Sequence, residues 1–382
     1  MIKNYKIRIY PTKEQEKLIW QHIDACRFIY NYFLAWEQKQ YEAGEKYCGK
    51  FGFNYELTKL KQQEEYKWLY NVSNTSLKTA LSDLNDAYQN FFKKRSRYPK
   101  FKSKKKSKNV YPVCSGIKFY VKDNKFHIEK LGKVKFKTDF NLPRNKGIKF
   151  KNVRLSYNKA TNKYFISFGL EYENQVQELN DYNVGIDLGV KELAIISYDG
   201  NSKVYHNINK SKKMKELNKR LKHLQRAISR KYEANKQGNK YIKTKNILRA
   251  EKDLLKLYNK ISNIRDNYIH QTTHEIIKLK PKQVIMEDLN VIGMMKNRYL
   301  SRAVQEQNFA KFISYMKYKC VWSGIEFVQV DRFYPSSKMC SNCGSIKKDL
   351  KLSDRTYICP ECGAVIDRDL NAAINLEHYS IG

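Results

Sequence analysis

Four cysteines near the end of the chain fall into two pairs, Cys340-x-x-Cys343 and Cys359-x-x-Cys362, with fifteen residues between them. Two such knuckles at that separation are the ligand pattern of a zinc ribbon, and a glycine follows each, Gly344 or Gly363. Four thiolates close a tetrahedron around Zn2+ and leave no open position, so this metal would be structural. Carboxylates supply the candidates for catalysis. Asp187 in "GIDLG" and Glu287 in "VIMEDL" each end a run of apolar residues. Burying an acid there without a cation is costly, although a salt bridge to lysine would account for either one alone. Asp367 and Asp369 in "DRDLNAAINL" precede a helical stretch, where one of them would serve equally well as an N-cap. A third acid beside Asp187 and Glu287 makes a set of hard oxygen ligands suited to Mg2+ or Mn2+. Two such ions flanking a phosphate drive in-line hydrolysis.

The elements around these residues must bring them together. Alternation with period two puts Val184 and Ile186 on one face of a strand and Asp187 on the other. Val284 and Met286 likewise share a face, with Ile285 and Glu287 opposite. A strand and hairpin, a later strand and a C-terminal helix are the parts of a ribonuclease-H-like fold. Between the two acidic strands, Met214, Leu217, Leu221, Leu224 and Ile228 step by three and four, as do Leu254, Leu257, Ile261, Ile264 and Tyr268. That spacing predicts an antiparallel helical hairpin turning near "NKQGNK", with a lysine-rich outer face. His270 and His274 of "HQTTH" lack the glutamate of a zinc-protease motif and read as ordinary helix residues.

The amino-terminal half has a different character. Tyr5, Ile7 and Ile9 alternate with Lys6 and Arg8 as one strand, and Thr12 with Gln15 forms a capping box for helices reaching to about residue 92. Alternating apolar and basic residues over 111–172 predict antiparallel hairpins in a small barrel that the first strand joins. Between them runs "KKRSRYPKFKSKKKSKN", with ten lysines and arginines in seventeen positions. It reads either as a disordered linker or as a strap tracking phosphates through Lys93, Lys94, Arg95, Arg97, Lys100, Lys102, Lys104, Lys105 and Lys106. Overall, 74 lysines and arginines against 38 acids give a net charge of +36, which points to a nucleic-acid partner. No run of eighteen apolar residues exists, which argues against a membrane, and scattered Cys26, Cys48, Cys114 and Cys320 fit a reducing cytosol.

Taken in order, "GIDLGVKELAIIS", "VIMEDL", "SSKMCSNCG", "CPECG" and "DRDLNAAINL" closely resemble TnpB, the RNA-guided nuclease of bacterial insertion sequences, itself similar to type V CRISPR effectors. "KIRIYPTKEQ" and "RYPKFK" extend the likeness over essentially the whole chain. The resemblance implies a multidomain α/β protein. A wedge-like β-barrel (residues 1–11 and 111–180) would hold an inserted helical recognition domain with the strap (12–110). A RuvC-like nuclease domain (181–339 and 363–382) would hold the zinc ribbon (340–362). It further implies Asp187, Glu287 and Asp369 as the catalytic, magnesium-binding acids, Asp369 rather than Asp367 because it precedes Leu370-Asn371. The implied partners are a guide RNA from the element's end and double-stranded DNA cut next to a short adjacent motif, in a bacterial cytoplasm or on its nucleoid. Two alternatives share these features. A nuclease-inactive RNA-guided repressor would be expected to have lost acids, and a DDE-type transposase would be expected to carry a separate DNA-binding domain. "GIDLG" is also similar to the phosphate loop of actin-like ATPases, but Val190-Lys191 follows where those carry Thr or Ser.

Counterion release makes RNA binding by such a chain fall steeply with salt. Replacing Lys104, Lys105 and Lys106 by Ala should reduce the slope of log affinity against log salt by up to ~3 if each neutralises a phosphate. Titrations at several salt concentrations measure this, and an unchanged slope means that the segment does not grip RNA.

Overall fold

Strand β1 (Ile2–Tyr10) buries Ile7 and Ile9 and leaves Lys6 and Tyr10 exposed, the alternation its sequence dictates. The computed structural model describes residues 2–104, 107–113, 118–139, 142, 149–171, 177–351 and 354–379, and the chain divides into two compact units, Met1–Glu173 and Asn174–Gly382.

In the first unit, helix α1 (Lys13–Glu42) starts at the expected box. The Gln15 amide N–H donates to Thr12 Oγ1 at 3.3 Å, and the Thr12 N–H donates to Gln15 Oε1 at 3.0 Å. Gln15 Nε2 also donates to the carbonyls of Leu131 and Lys133 at 3.1 and 3.0 Å, which ties the helix start to the sheet. Helices α2 (Gly49–Gln62) and α3 (Asn74–Phe92) pack on α1 around Phe33, Phe53, Leu77, Leu81 and Leu84. Six more strands follow: β2 (Val110–Pro112), β3 (Phe119–Lys122), β4 (Lys125–Ile128), β5 (Gly132–Phe136), β6 (Lys151–Asn158) and β7 (Lys163–Glu171). With β1 they form one antiparallel sheet ordered β2-β6-β7-β1-β5-β4-β3. The sheet curls round one core, so that Phe119 of β3 lies 6.3 Å from Phe168 of β7 despite three intervening strands. A barrel closed by hydrogen bonds would pair β2 with β3. Among the described residues they remain edges, so the expected small barrel is a curled, open sheet.

The second unit opens with β8 (Asn183–Leu188), β9 (Glu192–Tyr198) and β10 (Asn201–His206). Helices α4 (Lys212–Glu233) and α5 (Lys245–Lys278) form the expected hairpin, and its turn carries the short ladder of β11 (Lys236–Gln237) and β12 (Lys240–Tyr241). Then come β13 (Gln283–Glu287), α6 (Val291–Lys296), α7 (Ser301–Gln307), α8 (Phe309–Ser323) and β14 (Glu326–Val330). A small hairpin of β15 (Thr356–Ile358) and β16 (Val365–Asp367) leads into α9 (Arg368–Glu377). The five-stranded sheet runs β10-β9-β8-β13-β14, an antiparallel meander extended by two strands parallel to β8. This is ribonuclease-H-like order. One face packs Val184, Ile186, Val284 and Met286 against Ile269 and Ile276 of α5 and Phe309, Phe312 and Met316 of α8. Across the sheet, Ile285 and Val330 pack against Leu376 of α9. Among the described residues no helix is long and apolar enough to cross a membrane.

How α9 meets the sheet depends on Gly185. A Cβ added there would lie 2.1 Å from the Ala373 carbonyl oxygen and 2.3 Å from the Glu377 nitrogen. The helix therefore rests directly on the backbone of β8, a distance only glycine permits. Its far end is clamped by Glu377, whose carboxylate accepts from Ser197 Oγ at 2.5 Å and from the Asp199 N–H at 2.7 Å. Gly185→Ala should force the helix and strand apart and cost about 1–3 kcal/mol or more, as overpacking does. A lowered urea midpoint at unchanged slope would show it, and wild-type stability would refute this close approach.

Candidate functional site

In the parallel ladder of β8 and β13, Met286 lies opposite Ile186. The next residues, Asp187 and Glu287, therefore stand side by side at the strand ends, on the face that α9 covers. Helix α9 runs antiparallel to β8. Its last turn reaches Asn183, whose side-chain amide donates to the Glu377 carbonyl at 3.3 Å, so its first turn lies at the acidic end. That first turn contains Asp369. The helix starts at Arg368, so Asp369 is within it rather than ahead of it. Asp367 is the N-cap: its Oδ1 accepts from the amides of Asp369 and Leu370 at 3.0 and 3.2 Å, and it is exposed.

Electrostatics register the crowding. The Asp187 carboxyl is held well above the usual carboxylate range, first by burial and then by the charges of Glu287 and Asp369, while Arg368 acts against them. Burial also raises Glu287, opposed by a hydrogen bond that its Oε1 accepts from Ser336 Oγ. Asp369 is paired with Arg368 at 3.1 Å, and Arg355 stands 4.0 Å away. Asp187 thus feels three acids, Glu287, Asp369 and more weakly Asp367. Their oxygens do not all lie within 4.8 Å of one another; among the described residues only Cys340, Cys343, Cys359 and Cys362 form such a set.

Those cysteines occupy two facing knuckles. The sulfurs of Cys340 and Cys362 are 3.7 Å apart, and those of Cys343 and Cys359 are 3.5 Å apart. Tetrahedral zinc–thiolate geometry sets this edge at about 3.8 Å, so the four sulfurs fit such an ion closely. Gly344 and Gly363 adopt φ of +77° and +72°, the left-handed turns that end each knuckle. The Cys362 amide and Ser345 Oγ both point at the Cys359 sulfur, lowering its pKa to about 6 and favouring the thiolate.

Three family descriptions match consecutive parts of this chain: "Helix-turn-helix domain" at residues 1–46, "Probable transposase" at 167–298, and "Cas12f1-like, TNB domain" at 309–376. A Streptomyces pristinaespiralis protein named "Putative RNA-guided DNA endonuclease" is 30% identical over 372 residues, covering 97% of this chain and 88% of its own. The chain belongs to the TnpB-like family of RNA-guided DNA endonucleases. A second relative, the Escherichia coli K12 protein InsQ, carries the same description and is 29% identical over 98% of this chain and 91% of its own. The solved mini-RNA-guided endonuclease CRISPR-Cas_phi3 shares the fold at a TM-score of 0.52 and 11% identity, over 98% of this chain and 92% of that one.

In this TnpB-like chain the basic strap is docked at Tyr98–Pro99 and at Lys102, while residues 93–97 are exposed. Pro99 is buried, and the Tyr98 ring packs edge-on against Tyr88 and Phe91 with its hydroxyl 3.1 Å from that of Tyr88. The Lys102 backbone exchanges two hydrogen bonds with the Asn31 side chain, at 2.7 and 2.8 Å. Its ammonium lies 3.4 Å from the centroid of the Tyr30 ring, and burial lowers its pKa. Lys102 is therefore turned inward, away from the phosphate-tracking role its sequence suggested. Lys104 pairs with Asp24 at 3.5 Å, whereas Lys93, Lys94, Arg95, Arg97 and Lys100 are exposed. Lys105 and Lys106 lie outside the described residues.

Sequence reasoning missed a polar network beside the acids. Asn371 and Asn375, both buried, stand one turn apart on α9. Asn371 Nδ2 donates to the Met339 carbonyl at 2.7 Å, and its Oδ1 accepts from the Ser341 N–H at 2.9 Å. Asn375 Nδ2 donates to the carbonyls of Ser336 and Met339, each at 2.7 Å. The only signal was their spacing of four in an otherwise apolar stretch.

Because Asp367 satisfies two otherwise orphaned helix amides, Asp367→Ala should cost about 1 kcal/mol, and Asp367→Asn almost nothing. Urea unfolding of the two variants checks this; equal losses would mean that the cap is unimportant.

Proposed function

We propose that this protein is an RNA-guided DNA endonuclease that hydrolyses phosphodiester bonds at Asp187, Glu287 and Asp369. The observation carrying this reading is the convergence of Glu287 and Asp369 on Asp187 at the strand ends of a ribonuclease-H-like sheet. The relatives named as RNA-guided DNA endonucleases support the guide RNA and DNA target as partners. The net charge of +36 suits both polyanions.

Asp187 and Glu287 offer oxygens from neighbouring strands, so their spacing is fixed by the sheet ladder. Asp369 adds a ligand from the opposite side through α9, whose seat on Gly185 sets its height. Burial and the neighbouring charges of Glu287 and Asp369 raise the proton affinity of Asp187, as suits a site for hard divalent cations. Mg2+ or Mn2+ held by them would neutralise the phosphate and activate the attacking water. Arg368, paired with Asp369 at 3.1 Å, and Arg355, 4.0 Å away, orient its carboxylate. The four cysteines would hold a structural Zn2+, with Ser345 and the knuckle amides stabilising its thiolates. Cutting beside a short adjacent motif, with a guide transcribed from the element's end, completes the proposal. Retention of all three acids weighs against a nuclease-inactive repressor, and the ribbon between the second and third acids weighs against a DDE-type transposase.

Asp187→Ala, Glu287→Ala and Asp369→Ala should each lower guided DNA cleavage by orders of magnitude while RNA and target binding persist. Asp367→Ala should leave measurable cutting. Loss of cutting in Asp367→Ala with retention in Asp369→Ala would reverse the assignment, and normal cutting in both would remove the three-acid site.

The purified protein should contain about one zinc per chain, reduced by Cys340→Ser or Cys359→Ser. Elemental analysis tests this, and full zinc in the double variant would reject the cysteine site.

A further inference from the structure

We infer that Ser336, Asn371 and Asn375 form a hydrogen-bonded coupling that makes the placement of the acids depend on a folded, metal-loaded cysteine ribbon. All three are positioning residues, and the inference rests on the nuclease reading of the acids. The segment 336–341 leads from β14 into the first knuckle, so its shape is governed by Cys340 at its end. This segment is held from two sides. On one side, the two asparagines of α9 grip it by four hydrogen bonds, to Ser336 O, Met339 O twice and Ser341 N, at 2.7 to 2.9 Å. On the other, Ser336 Oγ donates to Glu287 Oε1. One short stretch of chain therefore touches the strand bearing Glu287, through a side chain, and the helix bearing Asp369, through its backbone.

The chemistry of the contacts points to coupling rather than simple filling. Asn371, Asn375 and Ser336 are 0%, 4% and 1% exposed, so every lost partner leaves a buried polar group unsatisfied. Asparagine reads both a carbonyl and an N–H through one planar amide, which fixes the angle of the segment as well as its distance. Asn371 lies two residues from Asp369, whereas the helix's other clamp, Glu377, is at the far end. If the knuckle loses its metal, the backbone at Met339 and Ser341 is free to move. The start of α9 then loses the anchor that Asn371 gives it, and Glu287 its hydroxyl donor. The last turn, held by Ser197 and Asp199, should remain in place. The ribbon's metal thereby acts on cutting without touching the substrate.

The test uses the full chain with its co-purified RNA and reads amide hydrogen exchange alongside cleavage. In wild type, chelating the zinc should raise exchange at least tenfold in residues 367–373 but not in β8 or the last turn of α9. Asn371→Ala should raise exchange in the same residues without chelation, with zinc content and target binding unchanged and cleavage at least tenfold slower. Ser336→Ala should leave α9 protected and raise the Mn2+ concentration needed for half-maximal cutting severalfold, and Ser336→Thr should restore it. If Asn371→Ala unfolds the ribbon, wild-type exchange before and after chelation still decides. Protection of 367–373 that survives zinc removal overturns the coupling, as does wild-type cleavage by zinc-loaded Asn371→Ala. Asp187→Ala is the reference: should it still cut, the nuclease site is wrong, whereas the exchange result stands independently.

Discussion

The absence of a side chain at Gly185 is the constraint on which the rest of the nuclease unit depends. A helix can deliver a ligand to the end of a strand only if it lies close enough, and here the backbone of α9 lies where any Cβ on β8 would be. The buried Leu376 seals the contact against Ile285 and Val330, while Glu377 fixes how far the helix slides along the strand. With both coordinates fixed, Asp369 arrives at the level of Asp187 and Glu287 without any long side chain having to reach. Rigid delivery of this kind suits metal-assisted chemistry, in which small errors in ligand position are expensive.

The same closeness gathers negative charge in a partly buried place, which a fold would ordinarily avoid. Several groups offset it. Arg368 and Arg355 attend Asp369, Ser336 donates to Glu287, and the helix amides take Asp367. Arg368 offsets only part of the effect at Asp187, whose carboxyl is still held well above the usual range. Asp187 is accordingly the position where a divalent cation would relieve the most strain.

Much of this was legible from residue order. Period two assigned Asp187 and Glu287 to the faces they occupy, because a buried sheet admits only one alternation. Knuckle spacing located the cysteine cluster, since its ligands are local to two tight turns. The capping box at Thr12 was equally readable, being contained within four residues. Properties set by distant partners were not. Whether hairpins close into a barrel depends on how two edge strands meet, which no local pattern records. The docking of the strap rests on Asn31 and Tyr30, some seventy residues away from Lys102, so its inward turn was invisible. Asn371 and Asn375 could be seen as polar residues on an apolar face, yet their partners lie some thirty to forty residues earlier in the chain.

The most direct test of the central claim is anomalous scattering from crystals of the full protein with its RNA, soaked in Mn2+. The account predicts manganese peaks bounded by the carboxylates of Asp187, Glu287 and Asp369, with none at Asp367. Manganese bound elsewhere, in a protein that still cuts its guided target, would contradict it.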